Sequence, residues 1–156
     1  MQTYHSLPLL LTIGLFAINP VAAMDPSQAL DVMKVATITK MYQQDVDNEG
    51  MDNPIVLKQY ANQDLQSAMQ LEQDYFDKNQ MSCNVDYDVL WDSQDPDYAQ
   101  DKKFSINDKG LVQVSLAQGS DIYYDLSCDD SECRVADVIL DDSGKSLRQH
   151  FVENCR

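Results

Sequence analysis

Near Phe104 the spacing of apolar residues changes, and this change limits the folds open to the chain. Upstream, apolar side chains recur three or four residues apart, the spacing of a helix with one buried face. Asp25 reads as an N-cap and Pro26 as the first helical residue. Leu30, Met33, Ala36 or Thr37, and Met41 then carry a helix to about Tyr42. Residues 43–53 read as an acidic loop, and Asn53-Pro54 restarts a turn or two with Ile55, Val56, Leu57 and Tyr60. A longer helix is expected over 62–78, with Leu65, Ala68, Met69, Tyr75 and Phe76 toward the core. From Phe104 the period is two. Phe104 and Ile106, then Val112, Val114 and Leu116, then Ile122, Tyr124 and Leu126, and finally 135–140 form strand-like runs. Asn107-Asp108-Lys109-Gly110 and Gln118-Gly119-Ser120 supply turns between them, so the runs read as an antiparallel meander. Leu147, His150 and Phe151 mark a last short helix. The expected class is α+β, with N-terminal helices laid on a curved, cone-like antiparallel sheet and a short C-terminal helix.

The first 23 residues contain no Lys, Arg, Asp or Glu, and residues 7–18 are largely apolar. Pro20 breaks the run, and Val21-Ala22-Ala23 fits a leader cleaved before Met24. Residues 24–156 are then a single exported domain, with periplasmic location expected and no stable membrane insertion after cleavage. Four cysteines follow this leader: Cys83, Cys128, Cys133 and Cys155. An even number in an exported chain reads as two disulfides, and four cysteines allow three pairings. Cys128–Cys133 is favoured, because only four residues separate the two between strand-like runs, which leaves Cys83–Cys155. The spacing lacks the two short Cys pairs of a structural zinc site.

Asp and Glu number 26 against 11 Lys and Arg, for a formal charge of −15. Phosphate neutralisation needs clustered cations, so nucleic acid is excluded as a partner. No Lys or Arg occurs between Lys78 and Lys102, where Cys83, Tyr87, Trp91, Pro96 and Tyr98 stand among aspartates. This stretch is too irregular for one helix and reads as a long structured loop with Trp91 as a core anchor.

Within it, Cys83-Asn84-Val85-Asp86-Tyr87-Asp88-Val89-Leu90-Trp91-Asp92-Ser93-Gln94-Asp95 resembles the signature of a domain-of-unknown-function family of small exported bacterial proteins. The pattern is Cys, Asp-aromatic-Asp-Pro, Leu and a Gln-Asp pair. Val135-Ala136-Asp137-Val138 followed by Ser143-Gly144-Lys145-Ser146-Leu147-Arg148 resembles it as well. Val89 replaces the usual Pro, and Cys133 stands where Trp is common. The family is similar to the cone fold of nuclear transport factor 2 and ketosteroid isomerase. The resemblance implies that fold and supplies no activity and no catalytic residues.

Asp45-Val46-Asp47-Asn48-Glu49-Gly50 imitates the start of an EF-hand loop, but the twelfth position is Val56, where a bidentate Glu is required. It reads as a solvated acidic loop. Asp86, Asp88, Asp92, Asp95 and Asp97 read chiefly as caps of local backbone N–H groups. His150 follows Ser146 by four residues with Asp142 near, a triad in composition only, since no strained nucleophile turn or oxyanion hole is visible. No catalytic residue, metal ligand or cofactor is assigned. Two binding features stand out. Asp129, Asp130 and Glu132 occupy the expected disulfide-clamped hairpin tip, where a rigid acidic loop suits a basic protein such as a cell-wall hydrolase or toxin. Asp137 and Tyr124, on neighbouring strands, are the candidate polar groups of an apolar cone pocket, as in an isomerase, a dehydratase or a small-molecule binder. Asp137 is otherwise free to pair with Arg148 or cap the last helix. The expectation is a non-enzymatic, exported, inhibitor- or immunity-like binding protein; the alternative is the pocket protein.

Overall fold

The computed structural model describes residues 25–141 and 143–156. The leader expected at 1–23 and the acid at position 142 lie outside the described residues. Helix α1 spans Pro26–Asp47, α2 Val56–Tyr60 and α3 Gln63–Asn79. Strands β1 (Lys102–Ile106), β2 (Val112–Leu116), β3 (Asp121–Cys128) and β4 (Cys133–Ile139) follow, and α4 spans Leu147–Asn154. The strands form one open antiparallel sheet in chain order. The arrangement is α+β, as the change of period requires.

Local chemistry sets most boundaries. Asp25 accepts a hydrogen bond from the Ser27 N–H at 2.8 Å, with Pro26 at the first turn of α1. Asn62 accepts from Leu65 N–H at 2.9 Å to start α3, and Ser146 accepts from Gln149 N–H at 3.2 Å to start α4. Such caps satisfy N–H groups that the first helical turn leaves unpaired. Between β1 and β2, Asn107 Oδ1 accepts from Lys109 and Leu111 N–H, while Gly110 takes the left-handed conformation that closes the turn.

Helix α1 lies across the sheet and meets all four strands. Its buried stripe is Ile38, Met41, Tyr42 and Asp45. This corrects two expectations. Leu30 and Ala36 are exposed, because α1 carries apolar residues around much of its girth and its inward face cannot be chosen from spacing alone. The helix also runs five residues past Tyr42, so Asp45 and Asp47 belong to its last turns and not to an acidic loop. In α3, Leu65, Ala68 and Met69 are buried, whereas Phe76 is exposed.

The space between helices and sheet is filled by aromatic rings. Tyr42, Trp91 and Tyr124 are fully buried. Tyr42 meets Trp91, Phe104 and Tyr124 edge-to-face, with centroids 5.3, 5.6 and 6.2 Å away. Such pairs add about 0.5–1.5 kcal/mol each beyond area burial. Residues 80–101 form the expected irregular segment, and it is anchored by Trp91, over whose ring Lys102 Nζ sits 5.2 Å from the centroid. Both favoured disulfides are present: Cys83–Cys155 ties this segment to the end of α4, and Cys128–Cys133 joins β3 to β4.

Candidate binding site

The acidic hairpin tip is built as a clamp. Cys128 and Cys133 are register partners at the ends of β3 and β4 and are also disulfide-linked. Asp129 Oδ1 accepts from Ser131 N–H and Oγ–H at 2.8 Å and from Glu132 N–H at 2.9 Å. These bonds favour the ionised form and hold its carboxyl below the usual range. Glu132 accepts from Nε and Nη2 of Arg134, both at 3.1 Å. Two of the three acids are therefore engaged within the tip. Asp130 is exposed and presents its charge outward.

Asp137 and Tyr124 do not converge. A register shift between Asp125 and Leu126 interrupts the alternation of β4, so Val135 and Val138 share the buried face. Asp137 is buried at the edge of α4. Its Oδ1 accepts from Val138 N–H and Arg148 N–H, both at 3.0 Å, and Oδ2 lies 3.4 Å from Arg148 Nε. It pairs with Arg148 and caps α4 at once. Tyr124 lies beneath α1, where its hydroxyl is 2.9 Å from that of Tyr42. Tyr42 donates to the Leu90 carbonyl, so the proton between the two phenols belongs to Tyr124. Desolvation raises both phenols far above their ordinary range. His150 Nε2 contacts the Cys83 carbonyl at 2.9 Å, and Ser146 serves as the α4 cap.

A third arrangement was not assembled from the sequence. The end of α1, helix α2, the start of the irregular segment and α4 enclose a cleft of about 150 Å³. Val56, Leu57, Met69, Leu90, Leu147 and Phe151 give it apolar walls. Asp45 and Asp88 are its carboxylates, and no Lys or Arg lines it. Asp45 is only 4% exposed, and its Oδ2 accepts from Trp91 Nε1–H at 2.6 Å. Asp88 Oδ1 accepts from Leu90 N–H at 2.8 Å, the local capping use expected of this segment. Desolvation raises the pKa of both carboxyls, and the Asp45 charge raises Asp88 further. The available signal was the spacing of Ile38, Tyr42 and Asp45, one helical face that turns the acid inward. Among the described residues, no group of three or more His, Cys, Asp and Glu is placed to hold a metal ion.

Compared with known proteins, the chain matches no family model, no curated protein and no solved structure. Among the described residues no helix is long and apolar enough to cross a membrane.

Proposed function

We propose that this is an exported, periplasmic binding protein without catalytic activity, which recognises a basic protein through its acidic surface in the manner of an inhibitor or immunity protein. The observation that carries this reading is the braced hairpin tip. A disulfide and five hydrogen bonds accepted by the Asp129 and Glu132 carboxylates would be an elaborate way to order a solvated turn, and an ordered loop loses less entropy on binding. The charge of −15 would steer a basic partner toward it. The resemblance of residues 83–95 to exported bacterial proteins, and the two disulfides, fit the same compartment.

The test begins with capture of partners from periplasmic extract and proceeds to association kinetics with the one recovered. Replacing Asp130 by Ser is expected to slow association, and the salt dependence of the rate is expected to weaken with it. The triple change of Asp129, Asp130 and Glu132 to Ser should have a larger effect. Unchanged rates in both variants, with native near-ultraviolet dichroism, would leave the tip as a solvated turn.

A second reading, a small-molecule binder, is favoured by one observation: the apolar cleft with its two desolvated acids. Its site is then the Asp45–Asp88 cleft, in place of the Asp137 and Tyr124 pair.

A further inference from the structure

We propose that the cleft between Asp45 and Asp88 binds a primary ammonium group carried on an aliphatic arm, as on a lysine side chain or a free alkylamine. Asp45 is the deciding residue. It is more than nine-tenths buried, yet no cation of the described residues pairs with it or with Asp88. One of its oxygens takes the Trp91 N–H, while the other has no hydrogen-bond partner among the described residues and belongs to the cleft wall. Asp45 also sits in the last full turn of α1, where the helix carbonyls already make the potential negative. An acid at that place, desolvated and unpaired, is costly unless something positive joins it.

The donor geometry selects the kind of cation. Asp45 and Asp88 each have one oxygen engaged by an N–H of the protein, so each offers one oxygen to a ligand. A guanidinium prefers a two-pronged contact with both oxygens of one carboxylate, which neither residue can supply. An ammonium has three N–H donors in a compact head and takes single oxygens from two acids. Calcium needs about six to eight oxygen ligands, and the cleft has two carboxylates. The walls suit the rest of the molecule. Leu57, Met69 and Phe151 would cover methylene groups, and Ile55, half exposed, stands at the opening.

This inference rests on the protein-binding reading only for the source of the amine, and its test is independent of the hairpin tip. The oxidised protein would be titrated with n-butylammonium chloride and, separately, with n-butanol, following amide and Trp91 indole signals by two-dimensional NMR. Saturable shifts confined to the cleft are expected with the amine and not with the alcohol. Asp45→Asn and Asp88→Asn should each weaken amine binding by about tenfold or more, the loss of one charge-assisted hydrogen bond. The Asp130→Ser variant should bind as the parent does. A lysine flanked by peptide that binds more tightly than the free amine identifies a protein source; equal or tighter binding of the free amine identifies a small-molecule source. Equal binding of alcohol and amine, or no saturable shift with either, would overturn the proposal, and this comparison needs no variant to fold. Success here with an inert hairpin would refute the acidic-tip reading alone.

Discussion

The indole N–H of Trp91 donates to Oδ2 of Asp45 at 2.6 Å, pinning the irregular 80–101 segment to the last turns of α1. Both partners are buried, and the same ring stacks edge-on against Tyr42 and Tyr98 at 5.3 Å. Burial satisfies the indole but leaves the carboxylate poorly solvated. This conflict makes the ionisation of Asp45 work against folding.

Desolvation raises the Asp45 carboxyl from its ordinary 3.8, so the folded state holds that proton more tightly than the unfolded state. Its contribution to stability is then fully present below the unfolded pKa and is lost as pH rises through the folded one. Asp45→Asn keeps an oxygen for Trp91 and carries no charge. It is expected to be more stable than the parent at pH 7, with the advantage shrinking as pH falls toward 3.8. Urea midpoints of parent and variant at several pH values measure this, and a difference independent of pH would contradict it.

The two buried phenols should respond unequally. Tyr42 donates to the Leu90 carbonyl and accepts from Tyr124. Tyr124→Phe removes one donor and leaves Tyr42 bonded, an expected cost of about 1 kcal/mol. Tyr42→Phe strands a buried carbonyl and a buried hydroxyl together, for about 2–6 kcal/mol when each orphan costs 1–3. Equilibrium denaturation should rank Tyr42→Phe as the worse change; the reverse order would show that the proton is assigned to the wrong phenol.

The disulfides differ in the loops they close. Cys83 and Cys155 are 72 residues apart in sequence, and Cys128 and Cys133 are 5 apart. Paired Cys→Ser replacement should cost about 4 kcal/mol for the long link and about 2 for the short one in the chain-entropy account. Peptide mapping checks the pairing, and urea unfolding of the two double variants checks the order.

Gly50 has φ of +69°, and a β-carbon there would collide with the phenol of Tyr98. Gly119 has φ of +99° with open space around it. Gly119→Ala should cost only the left-handed strain, about 1–2 kcal/mol. Gly50→Ala should cost more and should also disturb the near-ultraviolet dichroism of Trp91, against which Tyr98 packs. Equal melting temperatures for the two variants would contradict this.

Much of the architecture was legible in one dimension. A period of two forces alternating faces, Asn107 to Gly110 spells a turn between β1 and β2, and Cys128 and Cys133 lie close enough in sequence to find each other across the 129–132 tip between β3 and β4. Asp25, Asn62 and Ser146 act on N–H groups two or three residues away, so their caps need no tertiary partner. The positions of Asp45, Asp88 and Asp137 were of another kind. Helix α1 carries apolar residues on several sides, and only the sheet beneath it selects Ile38, Met41, Tyr42 and Asp45 as the inward stripe. A one-residue irregularity at Asp125 and Leu126 moves Asp137 out of its expected row and onto the end of α4. Asp45 and Asp88 are far apart in the chain and meet only because Trp91 folds its segment against α1. Local hydrogen bonding and side-chain alternation act over a few residues and are written in the sequence, whereas desolvation depends on everything that packs around a group and exists only once the chain has closed on itself.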